Sequence, residues 1–181
     1  MLLTPTILTL ILFTIEADPN LLGRQWEEFQ QSNVPCETWI RIDKEEFSWS
    51  RTSRPDCGTA GVVQRMDRST SGKLHMSLQV RVDGYSLRGS GRGRGTGEYP
   101  VKIRIDYIDK EGRFQSWTHG FLCEPNRNRH RNVTQVRRGT WTPVTFDLDL
   151  GEKVQLRSVR FYGMGWSFRG AVRSPQLMRR R

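Results

Sequence analysis

The chain has 181 residues, of which 35% are hydrophobic and 27% are charged, and its formal net charge is +10. This length is sufficient for one domain with a core that needs no metal or disulfide staples. Its three cysteines are too few and too odd in number for a disulfide framework, and none has the spacing of a zinc ligand. The positive charge bears on association with partners and not on the fold.

The first residues form an apolar run that is too short to span a bilayer comfortably. Residues 1–17 are therefore typical of a signal peptide, with Ala17 as the cleavage residue. No Lys or Arg precedes the run, and Glu16 lies beside the proposed cut, so a buried first strand and a mis-assigned start are the alternatives. We expect secretion or display at the cell surface, and we predict no transmembrane span.

The rest of the chain is predicted to be one domain over 18–178, best supported over 62–177, followed by a basic tail at 179–181. In an exported protein Cys36 and Cys57 could pair, and Cys123 would then be left over. The sequence leaves the pairing and the oligomeric state open.

Early elements are short. Leu21–Gln31 is compatible with a short helix, since Trp26 and Phe29 have helical spacing. Trp39–Ile42 and Phe47–Trp49 are predicted to be short strands. From Leu74 to Val82 apolar and polar residues alternate strictly, which predicts a half-buried strand.

A β-hairpin is predicted at the centre of the chain. Residues 101–107 alternate, with Val101, Ile103 and Ile105 on one face and Lys102, Arg104 and Asp106 on the other. Asp109–Gly112 supplies the turn, with Gly at the position that needs a positive φ. Phe114–Phe121 then returns as the second strand.

Three further strands are predicted at Val144–Leu148, Val159–Met164 and Ala171–Leu177. Short strands at this spacing, with turn signals between them, are typical of a β-sandwich or barrel. The predicted fold class is therefore all-β.

No segment has both the residues and the structural context that a catalytic or phosphate-binding motif requires. The glycine-rich run 89–97 joins two predicted strands, whereas phosphate-binding loops open a helix. No nucleophile elbow occurs, and a Cys–His pair has no supporting spacing. Asp106 with Asp147 or Glu98 could form a glycosidase pair, but any sheet protein carries such carboxylates. We predict no enzyme activity, no cofactor and no metal.

The hairpin and its neighbours carry groups that bind hydroxyls and stack on sugar rings. Trp117 shares a face with Gln115, His119 and Phe121, so it is either a stacking platform on an open face or a core residue. The predicted ligand-binding residues are Arg81, Arg104, Asp106, Trp117, His119 and Tyr162.

Arginines cluster in loop-like segments, where their guanidinium forks suit phosphate, sulfate and carboxylate. A plain solvated basic surface is the simpler explanation. The predicted anion-binding loop residues are Arg92, Arg94, Arg129 and Arg131.

Residues from about Val62 to Leu177 resemble a galactose-binding-domain-like jelly roll of secreted or surface bacterial proteins. The motif residues are Gly97–Pro100, Arg104–Tyr107, Asp109, Gly112, Trp117, His119–Phe121, Gln135–Val136, Gly139, Trp141, Arg160–Gly163 and Gly165–Trp166. The resemblance implies a jelly-roll β-sandwich that binds glycans without catalysis. The chain departs from it near the C-terminus, where Arg173–Pro175 intervenes, and no ligand set for the calcium of related jelly rolls is grouped here.

The sequence thus predicts a non-catalytic carbohydrate-binding module, and the net charge suggests an anionic glycan. The alternative is an interaction or structural module whose basic loops dock on an acidic protein, nucleic acid or lipid surface, with nucleic acid not favoured. A hydrolase is the least favoured reading.

Overall fold

The computed structural model describes residues 20–32, 36–52, 58–85, 99–123 and 132–180, without the side chain of Tyr85. Within these ranges the regular structure is entirely β. The strands are β1 (Glu27–Gln31), β2 (Glu37–Ile42), β3 (Glu46–Thr52), β4 (Gly58–Thr70), β5 (Lys73–Tyr85), β6 (Tyr99–Ile108), β7 (Phe114–Leu122), β8 (Val133–Gln135), β9 (Thr142–Asp149), β10 (Val154–Gly165) and β11 (Phe168–Arg179).

The strands form two sheets that pack as a sandwich. The six-stranded sheet has the order β1-β4-β10-β6-β7-β8, and the five-stranded sheet has the order β2-β3-β11-β5-β9. Without the flanking strands β1, β2 and β8, these become β4-β10-β6-β7 and β3-β11-β5-β9, which is the strand order of a jelly roll. The pairs are antiparallel except β7–β8. The predicted jelly-roll β-sandwich is confirmed.

The core lies between the sheets because apolar residues occupy alternate positions on the central strands. Val80 and Val82 of β5 face Ile103 and Ile105 of β6 across the sandwich, and all four side chains are fully buried. The indole of Trp49 is also buried, and its Nε1–H donates to the carbonyl of Pro100 at 2.9 Å. This bond satisfies the polar atom that burial of an indole would otherwise leave unpaired.

Most of the predicted strands are present, and the hairpin turn has the expected geometry. Gly112 has φ +79°, and its N–H donates to the carbonyl of Asp109 at 3.0 Å. The short helix predicted for Leu21–Gln31 is wrong. Trp26 instead packs on Phe47 and Phe161, and the segment after it pairs with β4 as β1.

Strand β4 is a strand that the sequence did not reveal. Its residues from Ala60 to Gln64 are all buried, so the alternation that marks a half-buried strand is absent. The outer side is covered because Phe29 of β1 and Tyr162 of β10 pack together beside Gly61. A strand buried on both faces cannot be recognised by a period of two.

The two ends of the described sandwich are hydrogen-bonded to each other. Leu21 N–H donates to the carbonyl of Leu177 at 2.7 Å, and Leu177 N–H donates to Asn20 Oδ1 at 2.9 Å. Of the predicted basic tail, Arg179 is the last residue of β11, and Arg180 pairs with Asp147 at 3.2 Å. Among the described residues there is no helix with the length and hydropathy needed to cross a membrane.

Several predictions fall on residues outside those that the structure describes. They concern the signal peptide at 1–17, the partner cysteine Cys57, and the loop arginines Arg92, Arg94, Arg129 and Arg131. Cys36 is described and is a free thiol.

Candidate functional site

The outer face of the six-stranded sheet is built around Asp106. Its side chain is 2% exposed, although it points away from the core, because β7 and β10 supply polar neighbours on both sides. Ser116 and Ser158 donate their hydroxyls to the two carboxylate oxygens at 2.7 and 2.8 Å. Arg104 Nε donates to Oδ1 at 2.6 Å, and a nitrogen of Arg160 lies 3.4 Å from Oδ2.

These contacts keep Asp106 ionised. Burial alone would raise the pKa of the carboxyl, but the hydrogen bonds from Ser116, Arg104 and Ser158 outweigh it, so the pKa lies below its usual range. A carboxylate with three hydrogen-bond donors, a further ion pair and a lowered pKa is a structural hub and a poor general acid.

Aromatic rings flank Lys102 next to this hub. Lys102 Nζ lies 5.6 Å from the ring centroid of Tyr99 and 6.0 Å from that of Tyr162. Gly120 leaves room for the Tyr99 ring, since a Cβ there would lie 2.5 Å from Tyr99 Cδ1. On the other side Tyr162 meets Phe29 edge to face, with centroids 5.7 Å apart. We refer to Tyr99, Lys102, Arg104, Asp106, Arg160 and Tyr162 as the Asp106 face.

Tyr162 is not an open platform. Its side chain is only 6% exposed, and burial raises its pKa to about 12. Its neighbours on the sheet, Lys102 and Phe29, cover the ring that the sequence suggested for stacking.

Trp117 and His119 lie on the opposite side of the same sheet, so the predicted single face is corrected. Trp117 pairs directly with Ile105, and His119 pairs with Ile103, so both rings point inward with those core residues. Both rings pack on Phe146 of the five-stranded sheet, with centroid distances of 5.4 and 4.6 Å. Trp117 and His119 are both half-buried and lie at the edge of the core.

Burial also changes the chemistry of His119. It lowers the pKa of the imidazole to about 4, and His119 Nε2 lies 2.8 Å from the hydroxyl of Thr134. The ring is therefore neutral at physiological pH. It links the short strand β8 to β7 and takes no part in the Asp106 face.

Arg81 lies on the outer face of the five-stranded sheet and not beside Arg104. Its guanidinium carbon lies 4.7 Å from the ring centroid of Trp141, and that of Arg173 lies 4.4 Å from the same ring. Asp83 pairs with Arg81 at 3.0 Å, and Gln79 accepts two hydrogen bonds from Arg173 at 2.7 and 3.1 Å. Two fixed cations thus hold one partly exposed indole.

A second indole lies at the far edge of this outer face. Trp39 of β2 is 48% exposed and is paired with Ser50, while Ser48 is paired with Ala171 and Ala171 with Arg81. Three inter-strand spacings separate β2 from β5, or roughly 14 Å at about 4.8 Å each. The residues Trp39, Ser48, Ser50, Arg81, Trp141, Arg169, Ala171 and Arg173 are called the tryptophan face below.

Sequence reasoning missed Trp39 and Arg173 as site residues and named Trp141 only as a motif residue of the jelly-roll resemblance. Trp39 stands in a predicted strand beside Ile40 and Ile42, where an indole is as typical of a core as of a surface. Its exposure depends on β2 being an edge strand, which is a tertiary property. The polar neighbours Glu37 and Arg41 on the same face were the available signal.

One end of the sandwich has a cleft of about 730 Å³, bounded by the segment before β1, the β2–β3 turn and the bulge at Ser174. Its aromatic floor is Trp26 and Phe47, whose rings are 4.7 Å apart and pack on Phe161. These rings belong to the core cluster, so the cleft has fewer free stacking groups than the tryptophan face. The described residues contain no group of three or more side chains suited to hold a metal ion.

No protein-family model matches the sequence, and the search of curated proteins found no match. Among solved structures, the family 11 carbohydrate-binding module of Clostridium thermocellum, in complex with a mixed-linked tetrasaccharide, is 13% identical with a TM-score of 0.47. The match covers 85% of this chain and 88% of that one. A carbohydrate-binding module named TmCBM61, in complex with β-1,4-galactotriose, is 10% identical with a TM-score of 0.37, over 86% and 88% of the two chains.

The enzymatically active domain of tailspike protein 4 from bacteriophage CBA120 is 10% identical with a TM-score of 0.45. The match covers 84% of this chain and 19% of the tailspike chain. The carbohydrate-binding modules among these structures are β-sandwiches, the type of module that the sequence motifs resemble. At these identities and TM-scores they carry no argument for function, and the fold rests on the strand order itself.

Proposed function

We propose that the protein is a non-catalytic carbohydrate-binding module whose glycan site is the tryptophan face. One observation carries the proposal: two partly exposed indoles, Trp39 and Trp141, stand at opposite sides of one outer sheet surface. Indole rings stack on the C–H faces of sugars, and the half-buried Ser48 and Ser50 between the two indoles have short side chains that leave room for an oligosaccharide.

The arginines of this face favour an anionic glycan. Arg173 bonds to an amide and Arg169 is exposed, so neither is neutralised by a carboxylate in the described contacts. Their forks match a uronate or a sulfate ester. In this proposal Trp39 is the stacking platform, while Arg81 and Arg173 hold the acidic group beside Trp141.

Absence of catalysis is part of the proposal. Asp106 is engaged by Ser116, Ser158 and Arg104 on the other sheet, and Asp83 on the outer side of the five-stranded sheet is paired with Arg81. A glycosidase needs two carboxyl groups flanking the bond that is cleaved. We expect no new reducing ends when the protein is incubated with the oligosaccharides that it binds.

Affinity electrophoresis and calorimetry against a neutral β-glucan and a polyuronate test the proposal. Trp39→Ala should weaken binding by about tenfold to a hundredfold, by analogy with the 1–3 kcal/mol of one stacked base. Phe114→Ala is the matched control, because Phe114 is 62% exposed but lies on the other sheet.

Arg173→Gln should weaken binding of the polyuronate and leave the β-glucan unchanged, since only the acidic ligand uses the guanidinium charge. Binding of neither polymer, or equal loss in the Phe114 control, would contradict the proposal. Unchanged binding of the polyuronate by Arg173→Gln would contradict only the anionic part of the proposal.

A further inference from the structure

We propose a second site on this protein, an oxyanion-binding site formed by Lys102, Arg104 and Arg160 on the Asp106 face. It would take a sulfate, a phosphate or a carboxylate group. The site lies on the sheet opposite the tryptophan face, so it is independent of the proposed glycan site.

The first argument is the balance of charge. Three cations, Lys102, Arg104 and Arg160, lie on the outer face of β6 and β10, and Asp106 is paired with the two arginines. Tyr162 lies between these side chains as a neutral phenol. Three cations and one carboxylate leave this cluster with a net charge of +2, and Lys102 has no carboxylate partner in the described contacts.

The second argument is a donor without an acceptor. Arg160 Nε is buried and has no hydrogen-bond partner within the described part of the chain, although a terminal nitrogen of the same guanidinium lies 3.4 Å from Asp106. Arg104 and Arg160 keep 35% and 38% of their side chains exposed, so their outer edges are open to a ligand. A guanidinium that is held on its inner edge presents its other N–H groups in a fixed direction.

The third argument concerns Lys102. The pKa of its ammonium group is lowered, mainly by burial and further by the charge of Arg104, so its charged form is stabilised less than in water. The rings of Tyr99 and Tyr162 flank the ammonium and limit its positions. An oxyanion beside the Lys102 ammonium would supply the missing counter-charge. The same ion would also lie beside Arg104 and Arg160.

The order of the strands brings these groups together. Arg160 of β10 and Arg104 of β6 are direct partners, and Tyr162 and Lys102 are the next pair on the same face. The site thus consists of two adjacent cross-strand pairs on the central strands of a sheet. Rigid backbone positions of this kind suit a small, charged ligand.

Titration with sodium sulfate, sodium phosphate and sodium acetate, followed by NMR at constant ionic strength set with sodium chloride, tests the site. We expect saturable shifts of the Lys102 and Arg160 side-chain resonances. The lowered pKa of Lys102, measured from its ¹³Cε shift, should rise when sulfate is present.

Lys102→Met removes one charge without touching Asp106, and it should weaken sulfate binding by about tenfold, the effect of one charge-assisted hydrogen bond. Lys110→Met is the matched control, because Lys110 is an exposed lysine on the hairpin turn, paired with Glu152. That variant should bind sulfate as the wild type does.

Arg173→Gln should leave the sulfate-induced shifts of Lys102 and Arg160 unchanged, which separates this site from the glycan site. Linear, unsaturable shifts overturn the proposal, because they indicate general screening. Equal sulfate binding by Lys102→Met and wild type, or equal weakening in both lysine variants, also overturns it.

Discussion

Ile105 and Trp117 are direct partners across the β6–β7 hairpin, and this pairing assigns the indole to the inner side of the sheet. Residues that face each other across an antiparallel pair point to the same side. Ile105 is fully buried, so Trp117 lies against the core with Phe146 and not beside Arg104. The ring is half-buried because it lies near an edge of the sandwich.

Trp117→Ala should therefore reduce stability and leave glycan binding intact. We expect a loss of about 3 kcal/mol in the free energy of unfolding, at the low end for a large aromatic truncation because the ring is partly exposed. Urea denaturation of Trp117→Ala, with the exposed Phe114→Ala as the control, measures it. A normal urea midpoint together with lost glycan binding would contradict this prediction and would show that Trp117 is part of the glycan site.

Asp106→Asn should destabilise the fold and remove part of its acid sensitivity. The substitution leaves Arg104 and Arg160 without their counter-charge and places an N–H₂ group against hydroxyl donors, at a cost of about 2–3 kcal/mol. The folded pKa of Asp106 is lowered, so its contribution is full above the unfolded value of about 3.9 and is lost as the pH falls through the folded pKa.

Chemical denaturation of wild type and Asp106→Asn between pH 7 and pH 2 measures both effects. The two stability curves should converge as the pH falls below about 4. A constant difference down to pH 2 would show that Asp106 acts through packing alone.

His119 predicts a separate pH dependence at milder acidity. Its folded pKa of about 4 lies below the ordinary value of 6.5, because burial disfavours the charged ring. Between those two values the unfolded chain binds a proton that the folded chain does not, so stability falls as the pH decreases from 6.5 to 4.

His119→Gln should flatten the stability curve in that window. Denaturant midpoints at pH 7 and pH 5 provide the comparison. An NMR titration of His119 with a midpoint near 6.5 would contradict the prediction.

Gly120 is predicted to be intolerant of a side chain because of Tyr99. A Cβ at Gly120 lies 2.5 Å from Tyr99 Cδ1, so Gly120→Ala must displace the ring at a cost of about 1–3 kcal/mol. Gly61→Ala should cost more, since its Cβ would lie 2.2 Å from the carbonyl oxygen of Phe161, and backbone yields less than a ring. Thermal melts of both variants, with near-ultraviolet circular dichroism for the tyrosine, check the order. A larger loss in Gly120→Ala would contradict it.

The hairpin was predictable in detail because the residues that determine it are close together in the sequence. Alternation located both strands, and Asp109 with Gly112 located the turn. Alternation also grouped Trp117 with His119 and Phe121, but a period of two says which residues share a face and not which face is buried. The register across the turn decides that point, and it depends on the length of the turn.

The two proposed sites were harder to predict from the sequence because the order of the strands in each sheet is what brings their residues together. Arg81 lies in β5, Arg173 lies in β11 and Trp141 immediately precedes β9, so the three residues are far apart in the chain. The pairing of Arg104 with Arg160 likewise places two like charges side by side, which no local pattern would favour. Such contacts follow from topology, so Arg81 and Arg104 were predicted as site residues while their partners Arg173 and Arg160 were not.

The backbone bonds between Leu21 and Leu177 have a consequence for engineering the molecule. Since the two termini of the described sandwich run side by side, a short linker could join them and the chain could be reopened at the exposed turn around Gly112. The circular permutant would keep every strand pair, and only the covalent connection between β6 and β7 would be lost. The same geometry lets the sandwich be spliced into a surface loop of a host protein with both junctions at one point.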